Sequence, residues 1–192
     1  MRHAGFVLTG GRSSRMGRDK ALLPFLSQSL VEHVAKQVEA ATDRVSLIGR
    51  PDAYSHLGYP VYADRTPAKG PLGGIYTALS LRHAEWNLIL ACDLPQMRAR
   101  ALRQILAAAD AAGDTAECVV PRSGLADWQP LCAAYHVRCV PKLKRALSLN
   151  RLKLMDLLTE LDCVVVDDLD PDLFLNVNTP ADWAKLEDRH SA

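Results

Sequence analysis

Residues 8–20 read Leu-Thr-Gly-Gly-Arg-Ser-Ser-Arg-Met-Gly-Arg-Asp-Lys, a run that joins a glycine turn to a set of cations. Gly10 and Gly11 carry no Cβ, so the backbone can turn sharply there and a ligand can approach it closely. Arg15 and Lys20 place positive charge just downstream, with Arg12 and Arg18 as further cations. Backbone N–H groups and fixed cations after an apolar strand make a cradle for a triphosphate. The competing reading is a glycine turn with solvated arginines. Two familiar phosphate motifs do not account for the run. Walker A needs a Lys directly after its last glycine, whereas Gly17 is followed by Arg18 and Asp19, and Lys20 precedes Ala21. The G-x-G-x-x-G dinucleotide fingerprint is also absent, because Gly10 and Gly11 are adjacent. P-loop ATPase and Rossmann dehydrogenase chemistry both lose their main support.

Two carboxylates follow strand-like runs. Asp93 closes one in Cys92-Asp93-Leu94-Pro95. A hard oxygen donor at that position suits Mg2+, which takes one or two carboxylates beside phosphate oxygens and water. A turn-forming Asp that accepts local N–H bonds is the alternative. Asp64 ends Tyr59-Pro60-Val61-Tyr62-Ala63, and its plain alternative is an exposed loop carboxylate paired with Arg65. Gly70-Pro71-Leu72-Gly73-Gly74 stands at the entry to a helix, where close glycines and a helix N-terminus favour an anion and Lys69 adds charge. Asn176 and Asn178 flank Val177. In an extended segment their amides would share one side, while the alternative is capping of the next helix. Trp128 offers a ring face to a flat heterocycle and Arg151, beside Asn150, a fork for a terminal phosphate; core packing and solvent exposure are the respective alternatives. The six histidines are scattered and show no triad or metal spacing.

These residues sit between alternating strand-like and helical segments. Gly5–Leu8, Arg44–Gly49, Tyr59–Asp64, Trp86–Cys92, Glu117–Pro121, Pro130–His136 and Cys163–Asp167 read as strands. Helical spacing covers a segment opened by Ser29 and Glu32, then Leu72–Leu81, Ala99–Ala112, Val140–Leu147 and Leu154–Leu161. Thr179-Pro180 supplies an N-cap and a first-turn proline for the last helix, through Asp188. Repeated alternation predicts an α/β fold: a three-layer αβα, Rossmann-like, mostly parallel sheet with helices on both faces. Its 192 residues suffice for a single domain over 1–192. Ligands in such folds gather beyond the strands' carboxyl ends, where the opening loop, Asp64 and Asp93 would converge. A net charge of +1 leaves no broad basic field for nucleic acid. No cationic leader or membrane-spanning apolar run is read, and five cysteines without C-x-x-C spacing suit buried thiols. The expectation is a cytoplasmic protein with neither membrane nor nucleic-acid partner.

In their order these motifs resemble the nucleotidyltransferases that open L-x-G-G-x-x-x-R-M-G-x-x-K, and within them the molybdenum cofactor guanylyltransferases. Gly70–Gly74, Cys92–Pro95, Gln129-Pro130-Leu131 and Asn176–Pro180 carry the likeness on, over residues 5–187. The resemblance implies transfer of GMP from GTP to molybdopterin with release of pyrophosphate and Mg2+ as cofactor. It implies Arg15, Lys20 and Asp93 as catalytic, with Asp93 holding the metal. Leu8, Thr9, Gly10, Gly11 and Asp64 would contact the nucleotide, as would Gly70, Pro71, Gly73, Asn176 and Asn178. Asp64 would read guanine through its N1–H and N2–H2 groups or else contact the ribose. Cofactor-delivery proteins and molybdoenzymes are the implied protein partners. Thr9 departs from the family's usual alanine, and Leu47-Ile48-Gly49-Arg50 lacks an Asn that guanine-using relatives can show nearby. A CTP-dependent transferase, one with another small phosphate acceptor, and a non-catalytic nucleotide-binding adaptor are the rivals.

Overall fold

Side chains along the first strand, β1 (His3–Leu8), point alternately to two faces, and both faces are apolar. Ala4, Phe6 and Leu8 enter one buried cluster and Val7 enters another. That is why the sequence shows a continuous apolar run there: the strand is covered on both sides. The computed structural model describes residues 2–9, 19–124 and 127–191, the side chains at 185 and 187–191 excepted. Gly10, Gly11 and Arg15 therefore lie outside the described residues.

A two-stranded antiparallel hairpin, β2 (Pro24–Phe25) and β3 (Gln28–Ser29), leads into helix α1 (Leu30–Glu39). Next come β4 (Val45–Ile48), α2 (Pro51–Tyr54), β5 (Val61–Tyr62), α3 (Gly70–Ser80), β6 (Trp86–Ala91) and α4 (Ala99–Ala111). The chain continues through β7 (Cys118–Pro121), β8 (Cys132–His136), α5 (Val140–Ser148), α6 (Leu154–Leu158), β9 (Cys163–Val166) and α7 (Pro180–Ser191). One sheet of seven strands forms in the order β5-β4-β1-β6-β8-β7-β9. Among the described residues β8 runs against both neighbours, β6 and β7, and the other pairings are parallel. Helices α1 and α4 cover one face, while α3, α5 and α6 cover the other. The mostly parallel three-layer α/β arrangement expected from the sequence is the one observed.

Several boundaries follow from local chemistry. Ser29 and Glu32 form a reciprocal capping box at the start of α1, the Ser29 N–H donating to Glu32 Oε2 at 2.9 Å. Helix α3 starts at Gly70 rather than Leu72, because Pro71 is pre-set for a first turn. The expected strand 59–64 shortens to two residues at the sheet's edge, after a proline that lacks an N–H. No helix among the described residues is long and apolar enough to cross a membrane.

The topology places a crevice. From β1 the chain passes through α1 to β4 on one side, and from β5 it returns through α3, on the opposite face, to β6 on the other side. The order reverses between β1 and β6, and their carboxyl ends, Leu8 and Ala91, sit side by side in the ladder. Such a reversal point is where open α/β sheets bind ligands.

Close approach of α1 to β1 depends on Gly5. A Cβ there would fall 2.2 Å from Val38 Cγ1 and 2.9 Å from Thr42 Oγ1, and Val38 is fully buried with a stiff, branched side chain. Gly5→Ala is expected to destabilise the fold by about 2 kcal/mol through overpacking, read as a lower urea midpoint. The capping box predicts a pH effect. Bonds from the Ser29 hydroxyl and N–H hold the Glu32 carboxyl below its ordinary value of 4.5. A carboxyl depressed on folding stabilises above its unfolded pKa, and that contribution disappears as pH falls through the folded pKa. The melting-temperature advantage of wild type over Glu32→Gln is therefore expected near neutrality and should vanish below Glu32's depressed pKa.

Candidate functional site

Beyond β1 the chain re-enters the described structure at Asp19. Asp19 caps a short 3-10 turn, Lys20–Leu22, with its Oδ1 accepting from Ala21 N at 3.1 Å. Lys20 projects from that turn towards the reversal point. Its Nζ donates to Asp93 Oδ2 at 3.2 Å, to the Val177 carbonyl at 2.8 Å and to Asn178 Oδ1 at 2.9 Å. Lys20, Asp93 and Asn178, widely separated in sequence, are thus in direct contact. Both charged side chains are largely enclosed, at 14% and 24% exposure.

Asp93 lies just past β6, and the structure holds its backbone on both sides. Cys92 N donates to Leu8 O at 3.1 Å, and Val177 N donates to Asp93 O at 3.0 Å. Lys20 engages Oδ2 of the carboxylate, and Oδ1 accepts no hydrogen bond among the described residues. One hard oxygen next to a crevice fits Mg2+, which completes its shell with phosphate and water. No group of three or more His, Cys, Asp or Glu positioned for a metal occurs among the described residues. Cys92 itself is no nucleophile: burial and the neighbouring Asp93 push its thiol up to about 12.

Alternation along 176–178 turns Val177 inward and leaves Asn176 and Asn178 exposed. Val177 packs with Phe25, Leu30 and Leu186, with Trp183 against them, in a small core of its own. The capping duty falls to Thr179 and Asp182: Asp182 N donates to Thr179 Oγ1 at 3.1 Å, and Thr179 N to Asp182 Oδ2 at 2.9 Å. The Asn178 amide oxygen accepts from Lys20 instead. Asn176 makes no such contact among the described residues.

Leu8 and Thr9 are buried at the β1 exit. The Leu8 carbonyl and the Thr9 N–H are engaged within the sheet, the latter donating to Ile48 O at 3.0 Å. The Thr9 hydroxyl donates to the same carbonyl at 3.0 Å. The Thr9 side chain therefore turns towards β4, into space that exists because Gly49 has no Cβ; one there would fall 1.8 Å from Thr9 Oγ1.

Asp64 is half-buried and forms no ion pair with Arg65 among the described residues. Its Oδ1 accepts from Thr66 N at 2.8 Å, Thr66 Oγ1 at 3.3 Å and Thr77 Oγ1 at 3.0 Å. Gly73 lets this loop pack on α3: a Cβ there would lie 2.9 Å from Thr66 O and 3.0 Å from Asp64 Oδ2. Gly73 thus serves the approach of the protein's own loop. Gly70 takes φ +62, a left-handed conformation suited to glycine, with Pro71 in the first turn behind it. Lys69 Nζ donates to Asn150 Oδ1 at 2.8 Å, which brings the 150 loop beside the start of α3. Arg151 pairs with Glu160 at 2.7 Å, and Trp128 packs partly buried against the core on the face covered by α3, α5 and α6.

Three residues that position these groups escaped the sequence reading. Tyr54 donates to Asp19 Oδ2 at 2.7 Å, Thr77 holds Asp64, and Val177 offers its carbonyl to Lys20. Only Val177 had a signal, its place between two asparagines. Thr77 is 1% exposed and its hydroxyl also accepts from Arg65 N at 2.9 Å. Thr77→Val keeps the shape but removes the acceptor of the Arg65 N–H and one of the three donors to Asp64 Oδ1, and it is expected to cost about 1 kcal/mol in denaturant unfolding.

Comparison with known proteins adds to this geometry. Residues 5–165 match the model of the MobA-like NTP transferase domain. A relative from Carboxydothermus hydrogenoformans, named a probable molybdenum cofactor guanylyltransferase, is 35% identical over 94% of this chain and 92% of its own. The molybdenum cofactor guanylyltransferase of Vibrio parahaemolyticus is 32% identical over 94% and 92%. Among solved structures, molybdopterin-guanine dinucleotide biosynthesis protein A from Archaeoglobus fulgidus superposes with a TM-score of 0.82 at 22% identity, covering 98% of both chains. At that identity the likeness concerns the fold.

Proposed function

The chain belongs to the MobA-like NTP transferase family, among its molybdenum cofactor guanylyltransferases, and on that membership we propose that it transfers GMP from GTP to molybdopterin. A terminal phosphate oxygen of the acceptor attacks the α-phosphorus of GTP in line. The bond to the β-phosphate's bridging oxygen breaks, pyrophosphate leaves, and molybdopterin guanine dinucleotide remains. The attacking oxygen is already anionic, so no protein nucleophile is needed and catalysis is mostly positioning and electrostatics.

The observation that carries the reading is the Lys20 ammonium held beside Asp93 and Asn178 where the sheet order reverses. An enclosed cation at that point offsets the charge that builds on the transferring phosphoryl group. In this reading Gly10, Gly11 and Arg15, which lie outside the described residues, complete the triphosphate cradle. Asp93 would hold Mg2+ through its carboxylate, and the ion would supply Lewis-acid neutralisation of phosphate charge there. Asp64, fixed by Thr66 and Thr77, reads the nucleoside, and the α3 entry at Gly70 and Pro71 faces the phosphates. Delivery proteins for molybdopterin, molybdoenzymes that take up the product, and a cytoplasmic location complete the proposal.

The first experiment is calorimetric titration with GTP, CTP and ATP, each with Mg2+. A clear preference for GTP is expected. A preference for CTP would keep the fold and the chemistry but reassign the nucleotide. Transfer assays with Asp93→Asn separate an enzyme from an adaptor. A fall in kcat of about 100-fold is expected, and equal cofactor maturation by variant and wild type would overturn the mechanism.

A further inference from the structure

Lys20 has four rotatable bonds, and its tip meets oxygens from two distant segments, so the start of its side chain must also be fixed. The backbone that fixes it is the 3-10 turn capped by Asp19. One Asp19 oxygen holds the turn through Ala21 N, and the other accepts from Tyr54 Oη at 2.7 Å and from an Arg50 guanidinium nitrogen at 2.9 Å. We propose that Tyr54 is a positioning residue that anchors Asp19 and, through Asp19, the turn from which Lys20 reaches Asp93 and Asn178.

Exposure decides whether Arg50 or Tyr54 does this. Arg50 is 64% exposed, and such an ion pair is weakened by water and salt. Tyr54 is 2% exposed, and its hydroxyl makes an enclosed, charge-assisted bond to the carboxylate. Burial first, and then that bond, raise the phenol's pKa, so the hydroxyl keeps its proton as a donor throughout the neutral range. The ring is itself wedged at the exits of β1 and β4. A Cβ on Gly49 would fall 3.0 Å from Tyr54 Cε2 and 1.8 Å from Thr9 Oγ1, so the ring and the Thr9 side chain both pack against Gly49. The anchor thus refers the turn back to the rigid ends of two paired parallel strands. Tyr54 is placed to touch no reacting atom in this scheme; it acts through Asp19.

The catalytic consequence rests on the transferase reading, whereas the anchoring itself does not, and the test separates them. Wild type, Tyr54→Phe and Asp19→Asn are labelled in trace with acetic anhydride, and Lys20 acylation is measured relative to Lys142 by peptide mass spectrometry. Lys142 serves as the internal reference because it pairs with Glu117, away from this turn. Lys20 is expected to react at least about threefold faster in both variants as the turn opens locally. In the transfer assay kcat should fall about tenfold with the GTP KM within about twofold. The double variant should lose no more than the worse single one, since both act through one path. An unchanged Lys20-to-Lys142 ratio in Tyr54→Phe overturns the anchor, and so do kcat losses that multiply in the double variant. Absence of GMP transfer by wild type would sink the transferase reading and leave the labelling ratio to decide the anchor.

Discussion

The arrangement of this site depends on one ammonium group. Lys20 Nζ meets a carboxylate from the β6 exit and two oxygens from the segment before α7. Near a protein surface the gross attraction of such a charge pair is on the order of 5 kcal/mol. Much of it is cancelled by removing both charges from water. The contact therefore contributes more to geometry than to stability. It joins three chain segments at one point and holds a cation in a place where water cannot fully screen it.

Each segment is pinned by means that owe nothing to the charge. Asp93 follows a strand buried on both faces, and Cys92 extends the ladder by donating to Leu8. Val177 is tied by its side chain to Phe25, Leu30 and Leu186, a core separate from the two that clothe the sheet. That small core also joins the β2–β3 hairpin to α7, so both ends of the chain's path past the crevice are held together. Lys20 starts from the turn capped by Asp19. Apolar packing sets the segments, and polar contacts then set the atoms.

Close packing shapes the loops as well. Gly49 makes room for Thr9 and Tyr54, and Gly73 makes room for the Asp64–Thr66 loop. At Gly73 the space on the Cβ side is taken by the protein's own loop. The carboxylate of Asp64 gains from this a fixed direction, since three donors converge on one of its oxygens. A group held this way loses little freedom on meeting a ligand, which is what preorganisation requires.

Much of this was legible in the residues alone. Short continuous apolar runs marked the strands, which are covered on both faces, and period-3.6 runs the helices, because burial and side-chain direction follow local geometry. Ser29 with Glu32, and Thr179 with Pro180, marked helix starts because capping involves neighbours only. The two carboxylates after strands could be singled out for the same reason. The antiparallel direction of β8 could not be read, since alternation is identical whichever way a strand runs. Nor could the bonds of Lys20 to Asp93 and Asn178, 73 and 158 residues away, or of Tyr54 to Asp19 across 35. The Lys20–Asp93 contact forms where the strand order reverses between β1 and β6, and that of Tyr54 where β1 and β4 exit side by side; nothing local in the sequence carries that order. Composition and spacing chose the chemical groups; only the packing of both sheet faces decided which of them meet.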